Sequence, residues 1–172
     1  HASLRKELIE EGFTFVSETD TEVIPHLISR EINLLKSRQN LLDGEILLKA
    51  VQKVLPLLEG TYALAVIWAE APDALVVAKR QAPLVIGLGE GEFLCASDTP
   101  ALAGFTKAIL PMEDEEIALL TPLGIELYDI QGERKNRSPV VLNGLDQEID
   151  KQHIRHFMLK EIHEQPETVE LW

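Results

Sequence analysis

Apolar residues recur every three or four positions in the first third of the chain, as at Val23, Leu27 and Ile28. That spacing places them on one face of an α-helix. It predicts three helices, over residues 3–11, about 20–36 and about 43–58. Gly12 is typical of the position after a helix end, and Asp43 is typical of a residue that caps a helix start.

In the middle of the chain the pattern changes to short apolar runs rich in β-branched residues, which are typical of strands. The runs predict strands over 61–68, 74–79, 84–88, 92–96, 107–111, 116–121 and 125–130. Turn-forming residues at 71–73 and 89–91 join the first four strands into two hairpins. We expect a short helix over 99–102, an irregular surface segment over 131–150 and a last helix over 151–164.

Helices, then hairpins, then a terminal helix form an α+β pattern with mostly antiparallel sheet. Some strands, such as 63–67, are apolar at both alternate positions, which indicates sheet faces buried on both sides. A four-layer αββα sandwich would bury them in this way. One more strand is expected over 13–16, just before the second helix. The length of 172 residues suits one domain with a substantial core.

The charge balance excludes several function classes. The chain has 16 basic and 29 acidic residues, a formal charge of -13, which repels nucleic-acid backbones and anionic membrane surfaces. No apolar stretch reaches the length of a membrane span. The single cysteine, Cys95, has no partner for an internal disulfide, and its apolar run predicts a buried, inert thiol. This composition suits the reducing cytoplasm.

Residues 17–24 carry the candidate chemistry, because three carboxylates and three hydroxyls lie where the predicted strand meets the second helix. Thr19 and Glu22 have the spacing of a capping box, in which each side chain bonds the other residue's backbone N–H. Asp20 is then left over to hold a substrate ammonium through charge-assisted hydrogen bonds. The alternative is that Asp20 itself caps the helix or faces its dipole.

Three other patterns favour ordinary structure over a binding site. The G-x-G-x-G run at 87–91 lacks the helix that a phosphate-binding loop requires, so it predicts a hairpin turn. The acidic run at 113–116 is typical of a solvated turn, although a cation site can be drawn there. On the last helix a metal site can be drawn from His153, His156, His163, Glu161 and Glu164. The H-E-x-x-H arrangement is absent, so we expect no metal and no other cofactor.

Three stretches together resemble the glutaminase domain of glutamine–fructose-6-phosphate aminotransferases. They are residues 13–24, residues 82–89 with 96–98, and residues 155–166. Ala82 and His163 are small departures from the pattern of that family. The resemblance covers nearly the whole chain and implies the αββα fold of N-terminal-nucleophile hydrolases. It also implies a mechanism in which an amino-terminal cysteine attacks the amide of glutamine, with its own amine as base. The ammonia then passes to a sugar isomerase domain.

Of the substrate contacts in that family, the resemblance transfers one to this chain: Asp20 binds the α-amino group of glutamine. The nucleophilic cysteine, the arginine for the substrate carboxylate and the oxyanion Asn-Gly pair belong to a segment upstream of the resemblance. Cys95 cannot replace the nucleophile, because it lies inside a predicted strand. We therefore expect a glutaminase domain truncated at its N-terminus, over residues 1–165, that is inactive alone. Residues 166–172 would begin the linker to the sugar isomerase domain.

The expected partners are L-glutamine, the sugar isomerase domain of the same polypeptide and a second subunit in a homodimer of the intact enzyme. Two alternatives stay open. One is a non-catalytic scaffold or amino-acid-binding domain with a glutaminase-like shell. The other is a different glutamine amidotransferase, of the phosphoribosyl or asparagine-forming kind, which the stretch at 155–162 disfavours.

Overall fold

The computed structural model describes residues 2–37, 41–142 and 156–170. Its helices are α1 (Ala2–Glu10), α2 (Val23–Lys36), α3 (Asp43–Val54) and α4 (Phe157–Glu170), with 3₁₀ turns at Asp20–Glu22 and Leu55–Leu57. Its strands are β1 (Tyr62–Trp68), β2 (Ala71–Arg80), β3 (Val85–Leu88), β4 (Phe93–Ala96), β5 (Ala108–Pro111), β6 (Glu116–Thr121), β7 (Gly124–Asp129), β8 (Arg134–Lys135) and β9 (Val140–Val141). None of the helices in these ranges is long and apolar enough to cross a membrane.

Helices α2 and α3 form a layer on one face of the first sheet. The buried residues of α2 follow the helical period: Val23, Leu27, Ile28, Ile32 and Leu35. On α3, Leu47 and Val51 are fully buried in the same cluster. Pro25 does not break α2, because it lies in the first turn, where its missing N–H would have no partner within the helix.

The first sheet has the strand order β1-β2-β6-β7-β8, with every neighbouring pair antiparallel. Strand β1 forms one edge, and its residues alternate between two faces. Leu64 and Val66 pack on the helical layer. Ala65 and Ile67 point to the opposite face, where Ile67 is 80% exposed. The edge that carries the candidate site is therefore covered on one face only.

The second sheet has the order β4-β3-β5-β9 and packs against the other face of the first. Val77 and Leu120 of the first sheet share a buried cluster with Ile86 and Leu110 of the second. The described residues thus form three layers, helices on sheet on sheet, which are the first three layers of the expected αββα sandwich. A second helical layer on the outer sheet is not seen among the described residues. The predicted α+β class with mostly antiparallel sheet is confirmed.

A turn over residues 98–106 covers the outer face of β3. A Cβ atom at Gly87 would lie 2.9 Å from Thr106 Cγ2 and 3.3 Å from Leu102 Cδ1. Glycine is therefore needed here for close approach rather than for phosphate binding. The predicted helix at 99–102 is instead a series of turns, begun by the Asp98 carboxylate, which accepts the Ala101 N–H at 3.2 Å.

The prediction of a strand at 13–16 is wrong, since this segment pairs with no strand of either sheet among the described residues. Its alternation is real: Phe13 and Phe15 are half-buried against the helical core, whereas Thr14 and Val16 are exposed. The alternating aromatics pack on a helix side chain, His26, rather than on a neighbouring strand. The alternation of buried and exposed residues alone does not distinguish a strand in a sheet from a segment that packs on a helix.

Several boundaries also differ from the predictions. Residues 71–73, predicted as a turn, belong to β2. Ala71 pairs with Trp68, and a β-bulge follows it before the regular pairing resumes at Leu75. Asp43 is the first residue of α3, and Leu42 occupies the cap position. Within 131–150, the short strands β8 and β9 form where the sequence predicts irregular chain, and residues 143–150 lie outside the described part.

The last helix is α4, which continues past the predicted end at residue 164 and contains Pro166. The first part of the predicted helix, residues 151–155, lies outside the described residues. The division between a domain ending at residue 165 and a linker from 166 stays a prediction.

Candidate functional site

The candidate site is the loop of residues 16–22, here called the site loop, which leads into α2. The carboxylate of Glu22 closes it by accepting hydrogen bonds from both residues at its start. Glu22 Oε1 accepts the Val16 N–H at 2.8 Å, and Oε2 accepts the Ser17 N–H at 2.8 Å. The Ser17 hydroxyl donates a third bond to Oε2 at 2.5 Å. One carboxylate therefore fixes both ends of the site loop.

The predicted capping box is not formed. Thr19 does occupy the cap position of the 3₁₀ turn, with extended backbone, but its side chain makes no capping hydrogen bond. Its Oγ1 lies 2.8 Å from Ser17 Oγ instead. Glu22 does reach backward, as in a capping box, but it bonds the N–H groups of Val16 and Ser17 rather than that of Thr19. Sequence spacing identified the carboxylate correctly and its partners incorrectly.

These hydrogen bonds keep Glu22 ionised. They lower its pKa from 4.5 to about 2, with the Ser17 hydroxyl as the largest cause and the Val16 N–H as the next. The His26 ring contributes a smaller electrostatic effect in the same direction, with Nε2 3.7 Å from Glu22 Oε1. The side chain of Glu22 is only 13% exposed, so the charged carboxylate lies inside the site loop rather than in solvent.

Aromatic and cationic side chains pack beside the site loop and bond to it. The His26 ring contacts Phe13 and Phe15, at centroid distances of 5.3 and 4.5 Å. The guanidinium of Arg5 lies 4.3 Å from the centre of the Phe15 ring and donates a hydrogen bond to the Ser17 carbonyl at 2.7 Å. Helix α1 is thereby tied to the site loop through one arginine.

Asp20 is the first residue of the 3₁₀ turn and is exposed. Among the described residues, no hydrogen bond or ion pair to its carboxylate is found, in contrast to Glu22 two positions later. It lies on the wall of a cavity of about 920 Å³ whose other walls include Ser3, Leu4 and Tyr62. Its proposed contact with an ammonium group stays a prediction, and its exposure and lack of a described partner are compatible with one.

A second cavity, of about 530 Å³, continues along β1 and shares Thr21, Ile24 and Leu64 with the first. Ser29 and Asn33 supply polar groups from α2, and Trp68 closes the far end, with the Lys36 ammonium 4.7 Å from its ring centre. The two cavities form one groove between α2 and the unpaired edge of β1.

Sequence reasoning missed the roles of Arg5, Ser17 and His26 in this site. His26 follows Glu22 by four residues, a spacing that puts both side chains on one helical face. This spacing can be read from the sequence alone. Arg5 contacts Phe15 and Ser17, ten and twelve positions later, and these contacts depend on how α1 packs, so no local pattern could indicate them.

Cys95 is not part of this site. It lies in β4 of the second sheet and is half-buried, less enclosed than predicted. Burial raises the pKa of the thiol, which favours the protonated, unreactive form. The prediction of an unreactive thiol agrees with this environment.

The acidic run at 113–116 is a turn whose carboxylates pair with nearby cations. Asp114 pairs with Lys79 at 2.7 Å, which lowers the pKa of that carboxyl, and Glu116 pairs with Arg137 at 2.6 Å. The carboxylates are therefore engaged by protein side chains, as a structural turn requires.

No group of three or more potential metal ligands is found in the described ranges. The metal site that can be drawn on the last helix is not tested by this, because His153 and the side chains of Glu161 and Glu164 lie outside what the structure describes.

Comparison with known proteins places these features in a family. Residues 1–104 match the family model of the glutamine amidotransferase domain. Over 169 residues, the chain is 52% identical to glutamine–fructose-6-phosphate aminotransferase (isomerizing) of Nostoc sp. (strain PCC 9229) and 49% identical to that of Thermosynechococcus vestitus. The same enzyme of Aquifex aeolicus is 41% identical over 169 residues. The matches cover 98% of this chain, which spans only 26–27% of the length of these relatives.

Among solved structures, the glutamine phosphoribosylpyrophosphate amidotransferase of B. subtilis, complexed with ADP and GMP, is similar. The TM-score is 0.58 and the identity 25%, over 75% of this chain and 26% of that one. A second structure, described as the allosteric regulatory enzyme of purine biosynthesis, matches with the same TM-score. This likeness confirms the N-terminal-nucleophile hydrolase fold that the sequence resemblance implies.

Proposed function

The chain belongs to the glutamine amidotransferase domain family, and we propose that it forms the glutamine-binding part of a glutamine–fructose-6-phosphate aminotransferase. In the full-length protein, this region would release ammonia from glutamine for transfer to fructose 6-phosphate, which yields glucosamine 6-phosphate and glutamate. The identity of 52% over 169 residues to a relative with that name supports the proposal.

The observation that carries the proposal is the contrast between Asp20 and Glu22. Glu22 is fully engaged by backbone and hydroxyl donors, whereas the Asp20 carboxylate is exposed on a cavity wall with no hydrogen bond to another described residue. An exposed carboxylate on a fixed turn can accept charge-assisted hydrogen bonds from the α-ammonium of an amino acid. We assign Asp20 this role toward L-glutamine.

Ammonia release also requires a nucleophile, and we propose that another part of the full-length protein supplies it. Within the 172 residues Cys95 is the single cysteine, and burial raises its pKa. A thiol of this kind is a poor nucleophile at neutral pH. This chain would thus contribute recognition and scaffold, with a cysteine from elsewhere attacking the side-chain amide of glutamine.

The remaining assignments concern the full-length protein. We propose a sugar isomerase domain as the recipient of ammonia, because the relatives carry the isomerizing activity in their name and are almost four times as long as this match. We also propose a homodimer and a cytoplasmic location. The single half-buried cysteine is compatible with a reducing compartment.

The role of Asp20 is tested by kinetics of the full-length enzyme. Asp20→Ala should raise the KM for glutamine roughly 10- to 150-fold, because it removes a charge-assisted contact of about 1.5–3 kcal/mol. Glu18→Ala is the matched control, since Glu18 is an exposed acid in the same loop, and its KM should stay within about twofold of the wild-type value. An unchanged KM in Asp20→Ala would show that Asp20 does not bind the substrate.

The second test concerns the chain alone. We expect no ammonia release from glutamine by the purified 172-residue chain, whereas the full-length protein should release it. Ammonia above the enzyme-free blank from the chain would contradict the assignment of the nucleophile to another segment. A full-length protein without glutaminase activity would instead favour a non-catalytic amino-acid-binding or scaffold domain.

A further inference from the structure

We infer that Glu22 is a positioning residue for glutamine recognition: by closing the site loop it fixes the direction of the Asp20 carboxylate. This inference rests on the proposed function, in which Asp20 binds the α-ammonium of glutamine. It assigns no direct substrate contact to Glu22, whose carboxylate is occupied by Val16 and Ser17.

The geometry makes the site loop a closed ring. The side chain of Glu22 spans back to Val16, six positions earlier, and to Ser17, five positions earlier. Asp20 lies between these anchors, in the 3₁₀ turn that ends at Glu22 itself. A turn anchored at both ends samples few backbone conformations, so its exposed carboxylate is presented in a defined direction.

Both carboxylate oxygens of Glu22 are needed as acceptors. Oε1 faces the N–H of Val16 and Oε2 faces the N–H and hydroxyl of Ser17, all within 2.8 Å. Glutamine at this position would have the same shape but only one acceptor oxygen, and its NH₂ group would face a backbone N–H. Glu22→Gln therefore opens one side of the ring with little change in volume.

The side chains around Glu22 also favour a carboxylate at this position. His26 Nε2 lies 3.7 Å from Glu22 Oε1, and the ring of His26 is held between Phe13 and Phe15. Arg5 bonds the Ser17 carbonyl from the other side. The backbone of Ser17 is thus held at its N–H by Glu22 and at its carbonyl by Arg5, whereas Asp20 depends on the ring for its position.

A double-mutant cycle in the full-length enzyme tests the inference, with the KM for glutamine and kcat measured for Asp20→Ala, Glu22→Gln and the double variant. Glu22→Gln should raise the KM by about tenfold and leave kcat within about twofold. In the Asp20→Ala background, the same change should raise the KM by less than about twofold, because Glu22 acts through Asp20. Glu90→Gln makes the matched chemical change on an exposed residue outside the site loop, in the turn between β3 and β4, and should leave both constants unchanged.

The outcomes separate the inference from the proposed function. If Asp20→Ala alone leaves the KM unchanged, the role of Asp20 fails. If Asp20→Ala raises the KM but Glu22→Gln does not, or raises it equally in both backgrounds, only the positioning role fails. Should Glu22→Gln not fold, Ser17→Ala removes one of the three bonds to the Glu22 carboxylate, together with the Ser17–Thr19 contact, and should raise the KM by about two- to fivefold with unchanged kcat. An unchanged KM in that variant overturns the inference.

Discussion

The helix-covered face of the first sheet and the site loop at its edge are held by different forces. On the covered face, side chains such as Leu47, Val51 and Ile117 are completely buried, and burial of apolar surface stabilises the layer. The site loop is largely exposed, and hydrogen bonds to one carboxylate and one arginine hold it. We therefore expect substitutions in the core to change mainly the stability of the chain, and substitutions in the site loop to change mainly the proposed binding of glutamine.

The comparison extends to the two carboxylates of the site loop. Glu22 belongs, by its bonding, to the structural part of the molecule, although it lies two residues from the group assigned to the substrate. Asp20 contributes no described bond to the fold and is therefore the residue whose loss should affect binding most and stability least.

The largest effect on stability is expected in the helical layer. Leu47→Ala should lower the free energy of unfolding of the chain by about 2–5 kcal/mol, because it leaves a cavity in a fully buried cluster. Urea unfolding followed by circular dichroism measures this. Leu123→Ala is the control, since Leu123 is 99% exposed and its loss should cost less than about 0.5 kcal/mol. Equal effects of the two variants would contradict the assignment of the core.

A smaller effect is expected where a polar contact lies inside the packed region. Glu116 has a side chain only 5% exposed and makes two bonds to Arg137. Arg137→Met should reduce the free energy of unfolding by about 1–3 kcal/mol, because it leaves a buried carboxylate without its cation. Lys6→Met, which breaks an exposed pair with Glu10, should change it by less than about 0.5 kcal/mol. If thermal unfolding showed similar losses of stability in Arg137→Met and Lys6→Met, Glu116 would be hydrated and would not depend on Arg137.

The site loop should lose stability only in acid. Glu22 has a pKa of about 2 when folded against 4.5 for the ordinary group, so its contribution is fully present above about pH 4.5 and is lost as the pH falls toward 2. The Tm of the wild-type chain should therefore fall more steeply over this window than that of Glu22→Gln. Asp114 and Asp129, whose pKa values are also lowered, titrate in both proteins and cancel in the comparison. Parallel Tm curves would contradict the bonding of Glu22.

The smallest change is expected from one hydroxyl. Ser17→Ala removes the largest cause of the low pKa of Glu22 and should move that pKa upward from about 2, while the two backbone bonds keep it below 4.5. Carboxyl-carbon chemical shifts followed by NMR titration report it directly. A pKa that does not move would show that the backbone N–H groups alone keep the carboxylate ionised.

Much of the fold follows from local pattern. The apolar spacing of α2 and the hairpin signals around β3 and β4 predict those elements closely, because each is decided by residues near in sequence. The strand expected at 13–16 fails because an alternating aromatic segment packs equally well on a helix. Strands β8 and β9 are each two residues long, too short to show a periodic pattern in the sequence. The partner of β9 is β5, far earlier in the chain, whereas β8 pairs with the neighbouring β7.

The candidate site was predictable in part. The resemblance singled out Asp20, and the S/T-x-x-E spacing singled out Glu22. The actual bonding of Glu22 to Val16 and Ser17 depends on the path of the loop, which a capping-box spacing does not specify. Local sequence shows which groups can bond, and the fold decides which of them meet.

The central claim is that Asp20 binds the α-ammonium of glutamine. A crystal structure of the full-length protein with bound L-glutamine tests this most directly. We expect a carboxylate oxygen of Asp20 within about 2.7–3.0 Å of the ammonium nitrogen, with the Glu22 bonds to Val16 and Ser17 intact. An ammonium held by other groups, with the Asp20 carboxylate facing solvent, would contradict the account.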